Sequence, residues 1–326
     1  MVKKSKLGLA VFASLAISSC SNFIDGLVLE SPTLSNITSK YVERYDLEAR
    51  LLYENIDFSN NVILLVHGFA GNSETWGSLE NPDSPISVAT RYYGNNVIIA
   101  EYPTSMDVSS AASSILEKVQ DIANSQIDIV AHSMGGLVAR SMVRQNPDLF
   151  RSVGLIASPH NGMDLGLLIR YLERRVPRYV DYVFNMNDLE ATDSDYLRVK
   201  DLFPGSYLLS ELNSPVELSS KPTYHFFIFS KTNGTLRLIP GEDDSLLSPR
   251  TTNPTSLITS GNFEPVDPYS LITFYGDVRH MQSIHNPEIM DLVFRTVNVY
   301  ASMPRTFQDS VVYEIPESHP NEQTFR

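Results

Sequence analysis

A single cysteine, Cys20, stands in a chain of 326 residues, so an internal disulfide is excluded and the lone thiol needs another explanation. Positive charge is scarce. Lys and Arg number 25 against 38 Asp and Glu, a formal net charge of −13, which argues against a nucleic-acid partner and against broad electrostatic docking on anionic lipid. The apolar run from Leu7 to Ile17 is too short to span a bilayer permanently. No cluster of His, Cys and Asp appears at metal-ligand spacing, and nothing in the sequence requires a metal or a cofactor. Internal repeats, charge runs and low-complexity tracts are absent too, which leaves one domain with an insertion as the simplest organisation. What is present is enough apolar material for a core, 42% of the residues, and this excludes disorder over most of the length.

The charged start Met1-Val-Lys-Lys-Ser-Lys6, followed by the short apolar run, has the regions of a secretory signal. That run ends in Ile17-Ser-Ser-Cys20, which resembles the lipobox of bacterial lipoproteins. The resemblance implies removal of residues 1–19, lipidation of Cys20 and an exported protein held at a membrane by its anchor. Ser21, where a retention signal would have Asp, points to an outer membrane or the cell surface. Without Lys3, Lys4 and Lys6 the balance becomes 22 basic against 38 acidic residues, or −16. Residues 20–45, rich in Ser, Thr and Asn from Ser21 to Ser39, read as a tether.

The rest is organised around Ile127-Asp-Ile-Val-Ala-His-Ser-Met-Gly-Gly136, where a buried strand runs straight into a small-residue turn that holds Ser133. A serine that is to attack must stand clear of its strand, and a sharp strand-to-helix turn does this only if its neighbours are small. Here those neighbours are Ala131, Gly135 and Gly136. Other apolar runs read as strands: Val62 to Val66, Asn96 to Glu101, Val153 to Ala157, Tyr224 to Ser230 and, last, Leu271 to Tyr275, with an early edge strand between Leu47 and Tyr53. Helices are expected over Pro85 to Tyr93, Val108 to Ile122, Leu137 to Gln145 and, after a cap at Asn286, through Phe294. Alternating βα units imply parallel pairing with right-handed crossovers. Residues 163–222 break that pattern and read as a cap insertion. Residues 303–326 read as a surface tail with one strand-like piece.

The turn at Ser133 resembles the nucleophile elbow of α/β-hydrolases, in the Ala-x-Ser-x-Gly variant of bacterial lipases. Two further segments carry the same resemblance. His67-Gly-Phe-Ala-Gly-Asn72 resembles the family's oxyanion loop, and Asp201-Leu-Phe-Pro-Gly-Ser-Tyr-Leu-Leu-Ser-Glu-Leu-Asn213 resembles a Pro-Gly-Ser-x-x-Leu-x-x-Leu-Asn segment of lipases. Carried over, the likeness implies an α/β-hydrolase domain over 46–302, with Ser133 as nucleophile and the Phe69 and Met134 N–H groups as oxyanion donors. The acid falls in Gly241-Glu-Asp-Asp-Ser-Leu-Leu247, where the family pattern nominates Asp244, with Ser245 departing from the family's glycine. For the base, His280 and His285 compete. The family's histidine lies several residues before an Asn-Pro helix start, which favours His280. His67 and His160 read as structural, the first pinning its loop and the second shaping the site wall. The expected activity is hydrolysis of carboxylic, lipid-like acyl esters, with an acyltransferase or an inactive surface-binding lipoprotein as the alternatives.

Overall fold

Two short segments are buried at every position, Ile63–Val66 (β2) and Ile127–His132 (β4). Such runs suit a parallel sheet covered on both faces. The computed structural model describes residues 48–69, 71–103, 106–163, 201–216, 218, 222–230, 247, 249–261, 269–275, 278, 280–300 and 308–314. Cys20, Asp244 and the apolar stretch 165–169 lie outside them. In the sheet β2 and β4 are neighbours, joined by Arg50–Leu52 (β1), Val97–Glu101 (β3), Phe150–Ile156 (β5), Thr223–Ser230 (β6), Tyr269–Tyr275 (β7) and Gln308–Glu314 (β8). The strand order is β1-β3-β2-β4-β5-β6-β7-β8, with β1 antiparallel to β3 and the other described pairs parallel.

Helices wind on both sides, and two short ones, Pro249–Thr252 (α5) and Thr255–Thr259 (α6), lie between β6 and β7 in the chain. Val108–Ile122 (α2) and Met134–Gln145 (α3) cover one face, packing Ala112, Ile115, Leu137 and Met142 against Leu64, Val66, Ile129 and Ala131. Pro85–Tyr93 (α1) and Pro287–Tyr300 (α8) cover the other, where Val88, Met290 and Phe294 meet Ile63, Leu65 and Val130. Successive strand residues therefore feed opposite cores, as the two-residue period of a strand requires. Side-chain caps fix where the helices begin: Ser84 for α1, Asp107 for α2, and Asn286, whose Oδ1 accepts from the Glu288 and Ile289 N–H groups at 3.0 and 3.1 Å. This arrangement is the α/β-hydrolase fold. The described residues fall in one compact unit, Glu48–Leu168 and Asp193–Arg326. Among them no helix is long and apolar enough to cross a membrane.

Two polar clusters sit away from the carboxyl edge of the sheet. Near the start of β4, buried Asp128 accepts from Arg151 Nε at 2.8 Å, from Arg151 Nη2 and from the Tyr93 hydroxyl at 2.8 Å. His225 on β6 meets Ser152 Oγ of β5 at 3.1 Å and Ser270 Oγ of β7 at 2.7 Å, and burial holds its pKa down to about 3. That neutral row pins three parallel strands in register.

Two expectations need correction. Leu271 to Tyr275 is not the last strand of the sheet. Gln308–Glu314, assigned from sequence to a tail, pairs in parallel with β7 along its whole length, from Tyr269↔Gln308 to Tyr275↔Glu314. Its sequence, Gln-Asp-Ser-Val-Val-Tyr-Glu, is too polar for the apolar-run criterion that finds central strands. The helix expected from Leu137 begins at Met134 instead, because packing of its first turn outweighs the poor helix propensity of Gly135 and Gly136.

Candidate active site

At the carboxyl end of β4 the chain turns sharply through Ser133, whose φ of 55° and ψ of −128° lie where side chains seldom go. Such a conformation costs on the order of 1–3 kcal/mol and persists only when its surroundings impose it. The surroundings are explicit. A Cβ on Gly135 would stand 2.4 Å from His67 O and 2.6 Å from Val66 O, and one on Gly136 would stand 1.9 Å from Ser158 Oγ. Only bare backbone lets the first turn of α3 lie this close to β2 and to the loop after β5. Ser133 occupies the N-cap position of α3, yet its side chain makes no capping hydrogen bond. The residue is partly accessible, whereas His132 and Met134 on either side are buried. Among the described non-glycine residues with positive φ, Asn55, Ser133 and Ala157, two lie at the carboxyl ends of β4 and β5, where open α/β sheets bind ligands.

The loop after β2 lies against this serine. A Cβ on Gly68 would be 2.8 Å from Ser133 Cβ and 3.4 Å from its Oγ. Phe69 follows, 47% exposed, and Met134 is the first residue of α3, so its N–H has no intrahelical acceptor. His67 holds the loop in place. Its Nδ1–H donates to Gly68 O at 2.9 Å and its Nε2 accepts from the Tyr102 N–H at 3.4 Å, an assignment fixed because the first partner only accepts and the second only donates. Its ring stacks on Tyr102 at 4.2 Å, and the Tyr102 hydroxyl donates to His67 O at 2.6 Å. Burial keeps His67 at about 4, against smaller opposing pulls from Gly68 and Glu101. It is a neutral strut.

His280 lies buried beyond β7, with its ring centroid 4.7 Å from that of His132, the residue before Ser133. Its carbonyl accepts from Ser283 Oγ at 2.6 Å and from His132 Nε2 at 3.3 Å. The competing His285 is exposed at the end of Gln282–His285 (α7). Ser133, the Gly68–Phe69 loop, Met134 and His280 thus gather at one end of β4, while Asp244, Asp243 and Glu242 lie outside the described residues. No group of three or more His, Cys, Asp or Glu among the described residues is placed to hold a metal ion.

A second layer went unnoticed in the sequence. Buried Arg140 on α3 donates to Asn213 Oδ1 at 3.0 Å and to Leu212 O at 2.6 Å, and Asn213 Nδ2 donates to His160 O at 2.9 Å. His160 is buried edge-on to Phe226 at 5.4 Å, and burial, followed by the nearby Arg140 charge, holds its pKa well below the usual range. Gly162, at φ +87°, packs so tightly that a Cβ would fall 2.5 Å from Pro204 N, and the Met163 N–H donates to Leu202 O at 2.8 Å. Ser206 caps Tyr207–Leu212 (α4), and Asn213 closes it. The Pro-Gly-Ser-x-x-Leu-x-x-Leu-Asn segment is therefore a brace between the loop after β5 and α3. Its Asn was in view in the sequence, but its partner Arg140 had no motif to mark it.

Among solved structures the chain is similar to the propeptide form of the Bacillus licheniformis lipase BlEst2, at 17% identity and a TM-score of 0.53, covering 81% of this chain and 56% of that one. It is also similar to a monoacylglycerol lipase from Paleococcus ferrophilus (14%, TM-score 0.49, 78% and 98%) and to mouse alpha/beta hydrolase domain-containing protein 10 (13%, 0.46, 78% and 95%). At 17% identity the likeness to the propeptide form speaks to the fold alone. No curated protein matches the sequence. The family model described as "Domain of unknown function (DUF7379)" matches residues 32–195, half of the chain, and the chain belongs to that family.

Proposed function

We propose that the chain is a serine hydrolase that cleaves carboxylic esters, of lipid-like acyl character, through an acyl-enzyme intermediate. One observation carries the reading: a serine in a strained turn at the carboxyl edge of the sheet, its hydroxyl not used to cap the helix it begins, with glycine backbone packed against it. Serine is among the best N-caps, so a strained serine that makes no cap leaves its hydroxyl for other chemistry. In this reading His280 takes the Ser133 proton during attack on the acyl carbonyl, and Asp244 fixes the imidazole tautomer and stabilises its protonated form. The Phe69 and Met134 N–H groups receive the developing oxyanion, a contribution typically of about 3 kcal/mol per donor. Water then releases the acid.

The preference for apolar acyl groups rests on Phe69, which exposes 47% of its surface in the loop that touches Ser133, and on the apolar sequence Leu165-Gly-Leu-Leu-Ile169 of the insertion. Each methylene buried contributes roughly 0.8 kcal/mol, so four should raise kcat/KM by about two orders of magnitude before pocket length limits the gain. A series of p-nitrophenyl esters from acetate to octanoate, together with fluorophosphonate labelling of Ser133, tests this. A wild-type enzyme that prefers acetate would leave the hydrolase and remove the lipid-like substrate; no labelling would remove both.

The acid is tested separately. Asp244→Asn should lower kcat/KM by about three orders of magnitude or more, whereas Asp243→Asn should stay within about threefold of wild type, the scatter of a solvated surface charge. Equal losses, or the reverse order, would place the carboxylate elsewhere, with Asp164 after β5 as the next candidate.

A further inference from the structure

We propose that His132 is a positioning residue: its Nε2–H, borne on the last residue of β4, holds the main-chain carbonyl of His280 and so sets where the base stands relative to Ser133. The inference rests on the reading of His280 as base. His132 and Ser133 are consecutive, so the same stretch of backbone fixes both the hydroxyl and the donor. The base, in contrast, comes from the loop between β7 and α7, and a base must be held to within about half an ångström of its productive place. The Nε2 to carbonyl distance is 3.3 Å, the two rings lie 4.7 Å apart and tilted by 40°, and both residues are buried. A carbonyl only accepts, so the proton is on His132 Nε2 and the ring is neutral. Burial first, and then the neighbouring His280, press the His132 pKa well below the usual value. A neutral ring beside His280 adds no second positive charge when the base becomes an imidazolium. Ser283 Oγ, from α7 itself, also donates to this carbonyl at 2.6 Å, which stiffens the loop without tying it to β4.

The test compares three substitutions at one position in the full chain. His132→Phe keeps a ring and loses the donor; His132→Gln restores an N–H at similar reach; His132→Asn carries the same amide one carbon too short. With a p-nitrophenyl ester, Phe and Asn should each lower kcat about thirtyfold with KM within about twofold of wild type, and Gln should recover to within about threefold. Combining His132→Phe with Ser283→Ala should cost more than the product of the two single losses, because each donor alone still steadies the carbonyl. If His132→Phe fails to fold, the Gln and Asn pair alone decides. Wild-type kcat in Phe or Asn, or Gln no better than Asn, overturns the proposal provided that His280→Ala is inactive. An active His280→Ala overturns this proposal and the assignment of the base together.

Discussion

Ser133→Ala should lose ester hydrolysis by about three orders of magnitude or more and should no longer take a fluorophosphonate label, while its thermal midpoint stays within a few degrees of wild type. Stability is spared because the hydroxyl caps nothing and the residue is partly exposed. The strain of φ 55° belongs to the backbone and is the same for alanine. In the proposed mechanism, removing the nucleophile leaves only what the oxyanion donors and binding supply, and in serine hydrolases that remainder is a small fraction of the native rate. Retention of more than a few per cent of kcat/KM would mean that another group attacks.

Gly135→Ala should be as damaging by a different route. The added methyl would sit 2.4 Å from His67 O and 2.6 Å from Val66 O. These are main-chain atoms at the end of a buried strand and cannot swing aside as the tip of a side chain would. Either α3 lifts from β2 or the loop after β2 shifts, and each moves Met134 or Phe69 relative to Ser133. A loss of about 3 kcal/mol in folding stability, read from the urea midpoint, should accompany a loss of most activity. The contrast is Gly205→Ala: its methyl would meet nothing within 4 Å, and only the φ of +73° opposes it, at a cost of about 1 kcal/mol with activity kept. Wild-type stability in Gly135→Ala would mean that α3 is not seated on β2 in this way.

The parts legible in the sequence were those whose chemistry is local. An unbroken apolar run exposed β2, a mostly apolar run interrupted by Asp128 exposed β4, the three-and-four spacing of Ala111, Ala112, Ile115, Leu116 and Val119 exposed α2, and the small residues around Ser133 exposed the turn. Parts set by long-range partners were not. Residues 311–315 read as strand-like, but the place of β8 in the sheet comes from backbone pairing with β7, and a polar edge strand carries little periodic signal. Arg140 reads as one more helix arginine until Asn213, 73 positions later, folds back on it. His132 was passed over for the same reason, since its partner His280 is 148 positions away.

The contact of Gly162 and Met163 with Leu202 and Pro204 joins the loop after β5 to the turn before α4 at one point. A segment mounted in this way is modular. As a general rule each doubling of a connection between ends already fixed costs only about 0.6 kcal/mol, and the Arg140–Asn213 brace ties α3 directly to the end of α4. Drift, duplication or wholesale exchange of the sequence between 164 and 200 should then leave the turn at Ser133 as it is. Chimeras spliced at 163 and 201 should therefore keep the sheet and the strained turn of the parent that supplies them.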